Sequence, residues 1–157
     1  MEIRKATIDD MDLLVKLRMD YLLEEKKVQS ISDAENIEMK LREYFAKWLP
    51  SNGFVAVIAG EGKEVYSTAF LSIVERPPRK AATSYLVGTV YNVFTYPKYR
   101  NKGIATKVMQ ALLEEAKRLD VASVDLMATE SGKRLYEKVG FTKITNYTSI
   151  AVLGIRK

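Results

Sequence analysis

The chain contains no cysteine and no histidine. Without cysteine, disulfides, thiolate metal sites and a cysteine nucleophile are excluded. The missing histidine restricts the chemistry further, because a Ser-His-Asp triad, a histidine-ligated zinc and an imidazole base are all impossible. Any general base must be a carboxylate, a tyrosine, a lysine or water. Long hydrophobic runs are missing too. The longest obvious one, FVAVIA at 54–59, falls far short of the roughly 20 apolar residues that cross a bilayer as a helix. The opening residues MEIRKATIDD carry acidic groups and no apolar stretch, so they do not read as a signal peptide. The expectation is a cytoplasmic protein with no membrane partner.

What is present is ordinary globular material. Hydrophobic residues make up 47% of the 157, enough to bury a core, and the length suits one domain over 1–157. The 25 basic residues outnumber the 20 acidic ones for a net charge of +5, which favours anionic partners such as nucleotides or phosphorylated cofactors. The lysines are dispersed, and no aromatic-plus-basic stripe forms a stacking platform. A nucleic-acid partner is therefore not expected.

Periodicity and punctuation order the chain. TIDD at 7–10 is a capping box, and Leu14, Leu17 and Tyr21 follow at helical spacing, which predicts a helix over 8–25. SDAE at 32–35 is a second capping box, with Ile37, Leu41, Phe45 and Trp48 on one face and Pro50 ending that helix. Phe54 to Ala59 and Val65 to Val74 read as strands around a GEG hairpin turn. ERPPRK breaks the pattern and predicts a mobile basic loop. Leu86 to Thr95 is a third strand, a strong helix follows YPKYRNKG, and Val121 to Met127 is a short buried strand. A short helix over 131–138 and one or two strands from Phe141 to Ile155 complete the order. The pattern predicts an α/β (α+β mixed) fold, antiparallel early and parallel around the strand–helix–strand unit of 86–127.

One stretch carries chemistry. YRNKGIAT, 99–106, loads a helix mouth with cations although the helix field already makes that end positive. Cations there oppose helix stability unless an anion binds. A strand, a turn and a glycine-bearing helix start present several N–H groups outward together, the usual geometry for a phosphate. Gly103 lets the backbone approach closely. Arg100 and Lys102 can add charge-assisted bonds of about 1.5–3 kcal/mol each when partly desolvated, and Thr106 can donate a hydroxyl. Several converging donors suit a diphosphate better than a carboxylate. The plain alternative is a solvated loop in which Gly103 serves packing alone. A second stretch, SGKRLYEKVGF at 131–141, sets Tyr136 on a short helix at the same sheet edge. By itself such a tyrosine reads as half-buried packing.

Together the two stretches resemble the GNAT acetyltransferase superfamily. The family pattern of Arg or Gln, two residues, Gly, one residue, Gly or Ala stands here as Arg100-Asn101-Lys102-Gly103-Ile104-Ala105. It sits within NVFTYPKYRNKGIATKVMQALLEEA, similar to the family's splayed strand, proline turn and pyrophosphate helix. LYEKVGF at 135–141 resembles a later family stretch. Where many members carry asparagine and alanine seven and four residues before that tyrosine, this chain has Thr129 and Gly132.

The resemblance implies a mixed, splayed sheet of about six to seven strands flanked by about four helices. It also implies N-acetylation of an amine from acetyl-CoA in a ternary complex, with no metal. On this reading Arg100, Asn101, Lys102, Gly103, Ile104, Ala105 and Thr106 hold the pyrophosphate, and the pantetheine arm runs along Val93, Phe94 and Thr95. A backbone N–H of 93 or 94 polarises the thioester carbonyl, and Thr129 adds a hydrogen bond. Tyr136 is the implied general acid toward the leaving thiolate. For the base, Glu24, Glu25, Tyr91 and a water chain all stand open. In the family the acceptor is shaped by the segments that fall here at 20–35 and 75–85; Tyr21, Tyr85 and Tyr91 are the candidates to line that pocket, and Arg76, Arg79 and Lys80 make a basic loop. The expected partner is a small-molecule or amino-acid-like amine, with a homodimer left open. Acetylation of a protein or charged tRNA, or non-catalytic acyl-CoA binding, are the alternatives.

Overall fold

A computed structural model describes residues 1–78 and 84–144 and the backbone of 152–156. Seven strands form one sheet in the order β1-β2-β3-β4-β5-β7-β6. They are β1 (Glu2–Lys5), β2 (Phe54–Glu61), β3 (Glu64–Glu75), β4 (Leu86–Thr95), β5 (Ser123–Met127), β6 (Thr142–Ile144) and β7 (Val152–Arg156). Four α-helices accompany them: α1 (Met11–Glu24), α2 (Ile31–Trp48), α3 (Ile104–Arg118) and α4 (Lys133–Lys138). Every neighbouring strand pair is antiparallel except β4 with β5. α3 is the crossover between those two, as the 86–127 unit predicts.

The unbroken apolar run of β2 is explained by its two covered faces. Val55, Val57 and Ala59 pack with Val108, Met109 and Leu112 of α3. Phe54, Ala56 and Ile58 pack with Leu14 and Leu17 of α1 and Phe45 of α2. Alternation within one strand thus feeds two cores, which is why no polar residue interrupts it.

Several expected boundaries move. β1 was not expected, because EIRK holds one apolar residue and forms a charged edge that, among the described residues, pairs with β2 alone. The first predicted helix divides into a 3-10 turn at Ile8–Asp10 and α1, with the Asp10 carboxylate accepting from the Thr7 N–H at 2.9 Å. The cap of α2 is Ser30 rather than Ser32. Its Oγ accepts from the Asp33 N–H at 3.0 Å, so SDAE lies inside the first turn. The hydroxyl two residues upstream wins because its extended backbone points the oxygen at that amide. β5 begins two residues later than predicted, and 131–138 divides into a 3-10 turn at Glu130–Gly132 and α4. The predicted loop cations Arg79 and Lys80, and part of the segment expected as final strands, fall outside the described residues.

The feature that positions the site is a split in the sheet. β4 pairs with β5 only at Val87, Gly88 and Thr89, against Ser123, Val124 and Asp125. Beyond Thr89, β4 runs on to Thr95 paired to β3. Phe94 faces Thr68 and Tyr91 faces Phe70, so Asn92 and Val93 together oppose Ala69. This is a β-bulge, with Asn92 at φ 54°. It bends β4 away from β5 and leaves one edge of its last turn-and-a-half of pleat open.

Candidate active site

The end of β4 leads through a 3-10 turn at Pro97–Tyr99 into α3. Asn101 at φ 60° and Gly103 at φ 73° both take the left-handed conformation on this path. The first bond of the helix runs from the Lys107 N–H to the Gly103 carbonyl at 3.3 Å. Consequently the N–H groups of 101–106 donate to no backbone carbonyl among the described residues. A Cβ built at Gly103 meets nothing within 4 Å, so the amides border open space. Ile104 is buried and anchors the turn to the core, while Asn101, Lys102 and Gly103 are exposed and Ala105 and Thr106 half-buried. Such a nest of amides on a helix start can hold a diphosphate. Lys102 stands over the Tyr99 ring at 5.5 Å, and Tyr99 stacks on Tyr66 at 4.0 Å.

The Arg100 side chain makes two contacts of its own beside this helix mouth. Its Nε donates to the Thr95 carbonyl at 2.8 Å and its Nη2 to Glu24 at 2.5 Å. It thereby clips the end of β4 to the end of α1. The same two elements meet twice more. Tyr96 donates to Asp20, which also receives Lys16. Asn92 donates to the Leu17 carbonyl at 3.4 Å and accepts from Arg18 at 3.4 Å. Positions 92, 96 and 100 thus lock against 17–18, 20 and 24, fastening α1 along the splayed half of β4. Glu24, one of the bases considered, has its carboxylate engaged in this clip.

Tyr136 lies across the split. It is buried at 8% exposure in α4, a helix closed by a Schellman turn. Phe141 N–H donates to the Tyr136 carbonyl at 3.0 Å and Gly140 N–H to that of Glu137 at 3.0 Å, with Gly140 at φ 100°. The Phe141 ring packs edge-on to that of Tyr136 at 6.1 Å. The GF of LYEKVGF therefore seats the tyrosine. Gly132 has a related task. A Cβ there would come 2.7 Å from Tyr136 Cε2, so the glycine lets the ring lie close over the helix start. Burial pushes the phenol up to about 12, with Tyr21 adding a smaller effect. At neutral pH it is a proton donor and not a base. Among the described residues its hydroxyl has no hydrogen-bond partner, and it is not sealed from solvent.

The predicted acceptor tyrosines separate. Tyr21 packs edge-on to Phe94 at 6.4 Å and is felt by Tyr136, so it belongs to the cleft. Tyr91, 49% exposed, is felt by Arg18 on the same wall. Tyr85 is exposed, and its carbonyl accepts from the Arg76 N–H at 2.9 Å just before β4. Thr129 is exposed and its Oγ1 lies 3.1 Å from Ser131 Oγ. Phe94 is buried, so only the backbone of Val93–Thr95 can serve a ligand as a strand edge there. Sequence reasoning missed Asn92 and Arg18. An asparagine amid β-branched and aromatic strand residues, tolerant of positive φ, was the available sign of the bulge. A separate concavity of about 340 Å³ beside the β2–β3 hairpin, lined in part by Arg4, Ile58 and Gly60, shares no residue with this cleft.

A mixed sheet split beside an amide-rich helix mouth, with a buried phenol across the split, marks the class: an α/β fold whose open strand edge and helix-start amides can take a phosphorylated ligand. Comparison with known proteins makes that class specific. The model of the acetyltransferase (GNAT) family matches residues 17–141. A protein of Archaeoglobus fulgidus named as an uncharacterized N-acetyltransferase is 34% identical over 123 residues, 74% of each chain. A predicted acetyltransferase from Clostridium acetobutylicum, solved with acetyl-CoA, superposes with a TM-score of 0.81 at 30% identity, covering 94% of both chains. The PaiA N-acetyltransferase from Thermoplasma acidophilum, solved with coenzyme A, shares the fold at a TM-score of 0.70 and 17% identity over 99% and 98% of the two chains. This chain belongs to the GNAT acetyltransferase family and is an acyltransferase.

Proposed function

We propose that the chain, acting as one domain, transfers the acetyl group of acetyl-CoA to a primary amine of a small or amino-acid-like acceptor by direct attack in a ternary complex. The observation that carries this reading is the run of amides at 101–106, free of backbone acceptors and continuous with the open edge of β4. The amides receive the pyrophosphate, and the backbone of Val93–Thr95 pairs with the pantetheine arm. An N–H at 93 or 94 donates to the thioester oxygen as negative charge develops there. The ammonium form of the acceptor sheds one proton to water, its nitrogen bonds to the carbonyl carbon, the now positively charged nitrogen gives a second proton to water, and the C–S bond breaks. The thiolate then takes its proton from the Tyr136 hydroxyl, which solvent replenishes.

The test combines calorimetry with acetyl-CoA and a thiol-release screen across amines, polyamines, amino acids and peptides. Binding together with acceptor-dependent release of free CoA is the expected result. Binding without turnover on any amine turns the reading toward an acyl-CoA-binding protein, and no binding removes it.

A further inference from the structure

Arg18 stands out among the described guanidinium groups. Arg4, Arg42, Arg100 and Arg118 each pair with a carboxylate: Asp10, Asp12, Glu24 and Glu115. Arg76 and Arg134 are exposed to water. Arg18 is half-buried, and among the described residues it faces no carboxylate. Its partners are the Asn92 Oδ1 at 3.4 Å and the Tyr21 ring, over which its Cζ lies at 5.4 Å. The groups that bear on it electrostatically are the tyrosines 21, 91 and 44. A fork with five donors thus lies over an aromatic face with one long hydrogen bond made among the described residues, in a place where its hydration is reduced. Burial holds its guanidinium below the ordinary value, the sign of a charge lacking a counter-ion.

Its location says which ligand would supply that counter-ion. Asn92 precedes Val93, and Tyr21 packs on Phe94 and reaches Tyr136, so the fork borders the proposed reacting end of the cleft. The amides at 101–106 lie at the other end of the clip. Arg18 and Glu24, which holds Arg100, are separated by about 9 Å along α1 at about 1.5 Å per residue. One ligand pyrophosphate does not account for both. We propose that Arg18 anchors an oxyanion of the acetyl acceptor, so that the substrate is an amine that also bears a carboxylate or a phosphate.

This proposal rests on the acetyltransferase reading, and the experiment keeps the two apart. Matched acceptors are compared by thiol release: amino acids against their carboxamides, and phosphoethanolamine against ethanolamine. The acid and phosphate arms tell the two oxyanion sources apart. The wild-type protein is expected to prefer the anionic member of at least one pair on the order of 10- to 150-fold in kcat/KM, the range of one charge-assisted pair. In Arg18→Met that ratio falls toward one, with the loss in KM. Arg18→Lys keeps the charge without the fork and recovers part of it. Acetylation of amines with no preference for the anionic member overturns the anchor and leaves the enzyme reading intact, as does an equal loss on both members in Arg18→Met. Should Arg18→Met not fold, the wild-type pairs and Arg18→Lys decide alone. Acetyl-CoA binding with no amine acetylated overturns the enzyme reading and the anchor with it.

Discussion

Replacing Tyr136 with phenylalanine removes one oxygen from the cleft and little else. The ring stays in place, since Phe141 packs against it edge-on and Gly132 leaves it room. The hydroxyl has no hydrogen-bond partner among the described residues, so folding loses none that is visible. A stability change below about 1 kcal/mol follows, a melting shift of no more than about 2–4 °C for a chain of this size. The rate should respond far more. An acid–base group contributes about 10²–10⁴-fold, or about 2.7–5.4 kcal/mol of barrier. A thiol with a pKa near 8.5 is a fair leaving group without help, so the loss should sit toward the lower end. Because the phenol titrates only near 12, the alkaline arm of the rate profile below about pH 10 should be the same in both proteins and belong to the amine. Turnover is read by thiol release and acetyl-CoA affinity by calorimetry, which should stay within a few-fold. Unchanged turnover on the preferred amine would refute the role of the hydroxyl and leave Tyr136 as a packing residue.

Gly103→Val should weaken CoA binding by tenfold or more while costing about 1–2 kcal/mol of stability, since a Cβ at φ 73° is strained and projects into the space beside the amides; normal CoA binding by calorimetry would remove the helix mouth from the phosphate site. Gly132→Ala should displace the Tyr136 ring, because the new Cβ would lie 2.7 Å from it, and kcat should fall several-fold while acetyl-CoA affinity holds. Equal kcat in the two proteins would show that the ring position is not critical. The Arg4 hydrogen bonds hold the Asp10 carboxyl below the usual carboxylate range. Its folded value being depressed, that stabilisation is full at neutral pH and is lost as pH falls below about 4. Melting temperatures of Asp10→Asn should therefore lie below wild type at pH 7 and converge with it toward pH 3; a constant gap would refute the coupling.

Local signals account for most of what could be read from the chain. The hairpin around Gly62, the α3 start after Gly103 and the Schellman ending of α4 are written in residues a few positions apart. Their hydrogen bonds close within one turn, and so a linear sequence displays them. The edge strand β1 escaped because its place depends on pairing with β2, about fifty residues away, and not on its own composition. The cap of α2 was misplaced for a subtler reason: two serines compete, and only the backbone path into the helix decides which oxygen faces the amide.

By itself the sequence determined the amide-bearing helix mouth, the tyrosine and the need for a base other than histidine or cysteine, because each follows from residue type and short spacing. Only the tertiary structure decided what surrounds them. Arg100 proved to clip β4 to α1 through Glu24, 76 residues away in the chain. Asn92 proved to form a bulge that opens the strand edge, and Arg18 to lack a carboxylate. Pairings, burial and missing counter-ions are properties of groups brought together from distant segments, and their energies exist only once the sheet and α1 have closed around the cleft.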